Sequence, residues 1–485
     1  MSPSPTQAAA LSFLVPGLGQ LSVGALRRAI LFAAPALAVA ASAVALVGMG
    51  RSALLEMFLR PEVLTAILAL NAGLFIYHVI AIVDAYGLAR RKAGSHPGHR
   101  FLSVTGVALL LALTVALHGG LGVVGYRSYE TVTAVFVTPQ GDDGWAIPPP
   151  GADASTTPSP SRDPTSTVPA GTPPPARWPP EPPEATPTPS PTPVPVPPWA
   201  ADGRLDLLLV GSDAGPDRWS LRTDTMIVLS VDVASGHAAL FGIPRNIVGV
   251  PLPPESAGAF SGGRFPRMLN ALYVYAMGHS AQFPGGAARG FRAVAGAVQE
   301  LVGVRLDGAV VVNLAGFARL VDALGGLWIR VPARLVDAYY PLEDGSGHIA
   351  IDIKPGCQHL TGRMALAYAR SRHQDSDYGR MRRQQAVLIA LARQIDPIDL
   401  LPQVPELLDV AKQNLWMTVP REDIGGLAEL AARVEMGSVK RVLFAPPRYP
   451  EHLDSAAIEA IRSVVRSVFD SWDDVATTTP PRACP

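Results

Sequence analysis

The chain has 485 residues, with 40 Lys and Arg against 40 Asp and Glu, 16% charged residues and a mean hydropathy of +0.24. A formal charge of zero removes the basic excess that nucleic-acid binding calls for, and positive hydropathy at this length points to membrane segments joined to a folded domain. Cys357 and Cys484, the two cysteines, are too few and too far apart for a metal centre of their own.

Three apolar runs, about Ala29 to Met49, Val63 to Tyr86 and Phe101 to Gly125, each approach the roughly 20 residues that cross a bilayer. An earlier run from Ser12 is broken by Pro16, Gly17 and Gly19, which suits an interfacial or re-entrant piece better than a full span. A cleaved leader is disfavoured, because Arg27 and Arg28 follow that run. Arg90, Arg91, Lys92 and Arg100 fill the loop between the second and third runs and put it on the cytoplasmic side. The expected topology is a multi-pass protein of three spans, N-terminus cytoplasmic, with everything after Tyr126 extracytoplasmic. In that setting Cys357 and Cys484 are free to form a disulfide.

From about Pro148 to Pro198 the chain is Pro, Thr and Ser with almost no large apolar residues, so it cannot bury a core. At roughly 3 Å per residue in polyproline conformation it reads as a semi-rigid stalk reaching up to about 150 Å, or equally as a disordered spacer. The expected organisation is a membrane module over 1–130, a linker over 131–200, a folded domain over 201–475 and a disordered tail over 476–485.

Within that domain Leu205 to Gly211 reads as a buried strand, and Asp224 to Asp232 and His237 to Ile243 as a hairpin turning at Ala234, Ser235 and Gly236. Helical runs at Gly286 to Leu301 and Leu314 to Leu324 alternate with strands at Ala309 to Val312 and Leu327 to Val331, and a further strand lies in VKRVLFA. The order predicts an α/β domain, a mixed central sheet flanked by helices, behind an all-α membrane module.

The hairpin brings Asp224, at the start of one strand, to the same end as Arg245, just after the other. Asp213 joins them if the first strand runs parallel to the second hairpin strand. Two neighbouring carboxylates near phosphate predict a Mg²⁺ ion, although Asp213 also suits a turn and Asp224 a strand cap. The densest charge lies in YARSRHQDSDYGRMRRQQ, Tyr368 to Gln385, and converging arginines mark a phosphate or diphosphate site. Arg370 and Arg372 share a face only if the backbone between them is extended. A helix from about Asp377 to Ile395, with Met381, Leu388, Leu391 and Ile395 as its buried stripe, sets Arg380 and Gln384 beside that stripe and Arg382 in solvent. Arg383 stays ambiguous, and Asp377 is open between orienting an arginine, accepting a proton and capping the helix.

LDLLLVGSDAG, LRTDTMIVLSVD, FGIPRN, LNALYVYA and PGCQHLTGRMALAYARSRHQDSDYGRMRRQQAVLIAL together resemble, in order and spacing, the LytR–CpsA–Psr family over about Leu205 to Gln394. The resemblance implies a membrane-anchored phosphotransferase. Such an enzyme moves a glycopolymer such as teichoic acid from a polyprenyl diphosphate carrier to peptidoglycan and makes a phosphodiester. It implies Asp213 and Asp224 as Mg²⁺ ligands, Arg245, Arg370, Arg372, Arg380 and Gln384 as diphosphate-binding groups, and Arg245, Arg372 and Asp377 as the candidate catalytic residues. The partners it implies are the lipid-linked polymer, peptidoglycan and the bilayer, with no nucleic acid; a diphosphate hydrolase and a non-catalytic lipid- or polymer-binding scaffold are the alternatives. Helices between Ala287 and Leu324 are candidates to line a lipid groove. The chain departs from the family's pattern at Asn246, where an aspartate is usual, and in having three spans instead of a single anchor.

Overall fold

The computed structural model describes residues 3–48, 57–93, 100–136, 201–212, 223–342, 347–395, 404–420, 423–473 and 484. The N-terminal part is helical: α1 (Pro5–Leu14), α2 (Leu18–Ser22), α3 (Leu26–Val47), α4 (Pro61–Ala93) and α5 (Arg100–Val135). Three of these helices, at Leu26–Leu46, Pro61–Lys92 and Val104–Val135, are long and apolar enough to cross a membrane. Gly17, at φ 102°, turns the chain from α1 into α2, and Gly19 presses on the backbone of α1 and on Ala85 so closely that a Cβ would collide. Between the spans Asn71, His78 and His118 form a polar chain, with His118 Nδ1 2.9 Å from Asn71 Oδ1 and His78 Nε2 2.8 Å from the Phe13 carbonyl. Such groups need mutual partners inside a bilayer.

The folded domain is built on a six-stranded sheet in the order β11-β6-β1-β2-β3-β12. Its strands are β1 (Arg204–Ser212), β2 (Thr223–Asp232), β3 (Ala238–Gly242), β6 (Gly308–Asn313), β11 (Leu415–Met417) and β12 (Lys440–Leu443). β4 (Val248–Pro251) pairs with β5 (Arg264–Met268), β7 (Leu327–Val331) with β10 (Gly356–Leu360), and β8 (Leu335–Pro341) with β9 (His348–Ile353). The helices are α6 (Leu272–Gly278), α7 (Arg289–Val302), α8 (Leu314–Ala323), α9 (Gly362–Arg370), α10 (Asp377–Gln394), α11 (Val404–Asn414), α12 (Ile424–Arg433) and α13 (Ser455–Ser467).

β1 is antiparallel to β2 and parallel to β6, and β3 is parallel to β12, so the sheet is mixed as the alternating pattern predicts. Side chains alternate across it with the two-residue period of a strand. Leu208, Val210, Met226, Val228 and Phe241 pack with α7 and α13 on one face. Leu205, Leu207, Ile227 and Leu240 meet α10 and α12 on the other. Both faces are buried, which is why β1 is almost continuously apolar.

The C-terminal end of α5 reaches the folded domain. Arg127 on α5 pairs with Asp409 at 3.1 Å, Glu130 with Lys412 at 2.7 Å, and Thr131 Oγ1 donates to the Leu408 carbonyl at 3.1 Å, while Phe136 bridges Met417 on β11. The end of α5 is thus packed against the folded domain. The Pro-rich linker itself lies outside the described residues.

Cys357 on β10 is disulfide-bonded to Cys484, tying the C-terminal tail to the domain across a separation of 127 residues. Closing so long a loop contributes at most about 4–5 kcal/mol by chain entropy. A Cys484→Ser variant is therefore expected to unfold at a lower temperature than the native protein. Reductant, which lowers the native midpoint, should leave the variant's unmoved when both are followed by thermal denaturation.

Candidate functional site

The β2–β3 hairpin folds as its sequence predicts. Asp232 Oδ1 accepts from the backbone of Ser235 at 2.6 Å, and Gly236 takes the positive φ of 75° that the turn needs. With Ile227 opposite Gly242, the start of β2 and the exit from β3 lie together, and Arg245 Nη1 donates to Asp224 Oδ1 at 2.5 Å. β1 runs in the same direction as β3, and Ser212 at its end pairs with Thr223. Asp213, the next residue, lies outside the described residues.

The helix after the arginine-rich loop is capped by Ser376, whose side chain accepts from Gly379 N. Asp377 is thereby freed from the capping role and becomes the hub of the charged cluster. Its Oδ2 accepts from Arg380 Nη2 at 3.0 Å and lies 3.5 Å from Arg245 Nε, and its Oδ1 is 3.7 Å from Arg372 Nη1. Arg380 is 4% exposed and also donates to the Asp224 carbonyl at 3.1 Å. Burial, reinforced by Arg245 and Arg372, outweighs the carboxylates and pushes the Arg380 pKa down to about 10, which leaves it charged at neutral pH. For Arg245 burial also opposes the charge, but Asp224 and Asp377 prevail and hold its pKa above the ordinary arginine value.

Gln384, one turn after Arg380, donates to the Ala369 carbonyl at 3.3 Å. Arg370 ends α9, donates to the Tyr340 hydroxyl at 3.2 Å and lies over that ring at 5.8 Å. Ser371 has extended backbone (φ −54°, ψ 139°), the geometry that lets Arg370 and Arg372 serve one site.

These polar groups rim a cavity of about 260 Å³. Its floor is Leu209, Ile227, Val310 and Val312 of the sheet, and its walls are Leu314, Phe317 and Leu320 of α8, Leu366 and Ala369 of α9, and Val387, Leu388 and Leu391 of α10. Asp224, Arg370, Arg372, Arg380 and Gln384 line the same cavity. The structure therefore offers an apolar slot with a cationic mouth, slightly below the roughly 300–1,000 Å³ of small-molecule pockets. Of the helices expected to line a lipid groove, α8 walls this apolar cavity, whereas α7 packs into the main core.

Among the described residues no three carboxylate, histidine or cysteine side chains converge as a metal cluster. A Mg²⁺ ion asks for less, one or two carboxylates plus phosphate oxygens. Asp377 Oδ1 is buried without a hydrogen-bond partner among the described residues. It neighbours Asp224 through their shared arginines. That donor set is compatible with such an ion.

Other residues behave differently from their sequence reading, or become visible only here. Arg383 braces the loop between α9 and α10: Nε donates to the Tyr368 carbonyl at 2.7 Å, Nη2 to the Ser371 carbonyl, and Nη1 to Asp375. Arg382 is exposed, as the helical wheel requires. Ile395, expected in the buried stripe, is 48% exposed because the helix has ended at Gln394, and the burial passes to Val387, Ile389 and Ala390. Asn246 Nδ2 donates to Glu451 at 3.0 Å, and Tyr378 also donates to Glu451. Position 246 is thus engaged with Glu451, while Asp224 and Asp377 orient Arg245.

The sequence profile of the LytR–CpsA–Psr (LytR_cpsA_psr) family matches residues 184–445. The chain belongs to this family. It is 26% identical over 219 residues to the Biofilm regulatory protein A of Streptococcus mutans, covering 44% of this chain and 49% of that one. It is 27% identical over 218 residues to the polyisoprenyl-teichoic acid–peptidoglycan teichoic acid transferase TagU of Halalkalibacterium halodurans, covering 44% and 61%. The chain thus spans roughly half the length of the curated relatives it matches. A crystal structure of B. subtilis TagV aligns with 21% identity and a TM-score of 0.41 over 55% of this chain and 97% of that one.

Removing the Arg383 fork should release the loop that carries Arg372. An Arg383→Ala variant is expected to lose about 2–4 kcal/mol of stability and to exchange the amides of residues 371–376 faster by hydrogen–deuterium mass spectrometry. Arg383→Lys should not restore protection, since one ammonium cannot span three acceptors. Restoring a carboxylate at position 246 should be unfavourable here: Asn246→Asp faces Glu451, and the like charges should cost roughly 0.5–1 kcal/mol near neutral pH. Chemical denaturation should show that loss shrinking on acidification, as the carboxyls protonate.

Proposed function

We propose that this protein transfers a glycopolymer from a polyprenyl diphosphate carrier to peptidoglycan, with its folded domain on the extracytoplasmic side and its N-terminus in the cytoplasm. The observation that supports this reading best is a cavity that joins an apolar slot to a rim carrying Arg370, Arg372 and Arg380, with Arg245 held beside it by Asp224. A lipid diphosphate has that polarity: an apolar chain and an anionic head. The slot suits the first part of the chain, and the remainder would stay in the bilayer on which the domain sits.

In this reading Arg370, Arg372 and Arg380 meet the diphosphate oxygens with charge-assisted hydrogen bonds, and Gln384 adds a neutral donor. Arg245 and Arg380 need no reorganisation to do so, because Asp224 and Asp377 already fix their planes. An acceptor sugar hydroxyl attacks the phosphorus bearing the sugar, a new P–O bond forms, the bridging P–O bond breaks to release polyprenyl phosphate, and the hydroxyl proton passes to that departing phosphate or to water. Asp377, ringed by Arg245, Arg372 and Arg380, acts as the orienting counter-ion. Mg²⁺, held by Asp224 with Asp213 or Asp377, would neutralise phosphate charge.

The test is transfer of a radiolabelled polyprenyl-diphosphate glycopolymer to peptidoglycan by the full chain in detergent. Arg245→Ala and Arg372→Ala are each expected to slow transfer roughly 100-fold or more with unchanged circular dichroism. Chelation should stop the reaction and Mg²⁺ restore it. Transfer unaffected in both arginine variants would overturn the site, and release of the polymer into water with no attachment to peptidoglycan would make the protein a hydrolase.

A further inference from the structure

A second concentration of arginines lies on another side of α10. By the 3.6-residue repeat, Arg380, Gln384, Val387 and Leu391 face the apolar slot, whereas Gly379, Arg382, Arg383 and Ala386 face elsewhere. That second side lines a cleft of about 560 Å³. Arg330 of β7, Arg334 of the β7–β8 turn, Arg382 and Arg383 of α10, and Arg441 of β12 all border it.

The acids around it do not balance these charges. Asp375 is the one acidic residue lining the cleft among the described residues, and it pairs with Arg383. Asp352 reaches Arg334 from outside at 2.7 Å. Among the described residues Arg330 and Arg382 have no carboxylate partner. Like charges brought together in one concavity are unfavourable unless an anion joins them. Two of the arginines are also desolvated: Arg330 Nε is buried with no hydrogen-bond partner among the described residues, and Arg441 is 7% exposed. Four separate elements supply the set, which distinguishes the cleft from a solvated stripe along one helix.

We propose that this cleft is a second anion site, which takes a phosphate group of a polyanionic polymer while the diphosphate occupies the slot on the other side of α10. That the polymer is the one being transferred rests on the proposed transferase reading; the anion site itself does not. The Arg383 brace links the two, since it lines the cleft and holds the loop bearing Arg372. Phosphate could also arrive as a lipid headgroup, and the experiment separates the two sources.

Binding of a glycerol-phosphate oligomer to the full chain in phosphatidylcholine nanodiscs, measured by isothermal titration calorimetry, tests the site directly. The double variant Arg334→Gln/Arg382→Gln, both exposed positions, is expected to bind the oligomer about tenfold more weakly and to bind a short-chain prenyl diphosphate as the native protein does. Arg372→Ala should show the reverse pattern. If the double variant lacks a native thermal transition, Arg382→Gln alone replaces it, with a smaller loss expected. In nanodiscs containing phosphatidylglycerol, weaker oligomer binding in the native protein but not in the variant would identify a lipid headgroup as the occupant and keep the phosphate site. Equal oligomer binding by native and variant proteins, or no oligomer binding and no headgroup effect, would overturn it. Because prenyl diphosphate binding is read separately, failure here leaves the transferase reading intact, and failure of that reading leaves this one measurable.

Discussion

Burying a guanidinium costs several kcal/mol unless carboxylates and hydrogen-bond acceptors meet it inside, and the site depends on how this cost is offset for Arg380 and Arg245. Arg380 is almost wholly buried, so Asp377 and the Asp224 carbonyl must both reach it. Arg245 takes the Asp224 carboxylate directly and approaches Asp377 from the other side. These contacts join the β2–β3 hairpin to the start of α10 and thereby position the rim of the apolar slot. Three arginines, Arg245, Arg372 and Arg380, gather round the Asp377 carboxylate, and Arg245 also takes that of Asp224.

The slot and the membrane module are mechanically close. α11 lies between the end of the third span and α8, with Asn414 packed so tightly on Gly316 that no side chain fits there. α8 in turn walls the slot with Phe317 and Leu320. The ion pairs from Arg127 and Glu130 are partly exposed and individually weak. Set within one turn of the helix and joined by the Phe136–Met417 bridge, they nonetheless hold the domain to that helix.

Much of the site was legible in the sequence where geometry is local. The facing of Asp224 and Arg245 follows from a hairpin with a short turn, and the pairing of Arg380 with Gln384 follows from helical spacing. The exposure of Arg382 follows from the same wheel. What escaped was set by contacts remote in the chain. Tyr340 meets Arg370 from another sheet, and Glu451 takes Tyr378 and Asn246 from a loop 73 and 205 positions away. Arg383 stays ambiguous in the sequence because two of its three acceptors are main-chain carbonyls, which any sequence supplies. The capping role expected of Asp377 went to Ser376 through a shift of a single residue, and that shift released Asp377 to the charged cluster.

By itself the sequence determined the periodicities, and through them the spans, the strands of a mixed sheet and the two residue sets that meet at the hairpin end. It also determined the family, because the spacing of charged residues around apolar strands is retained in the chain itself. Only the tertiary structure decided which arginines are paired and which face a cleft, that Cys357 and Cys484 join, and that the domain rests on its third span. Those outcomes depend on burial and on distances between segments far apart in the chain, and neither is encoded in local spacing.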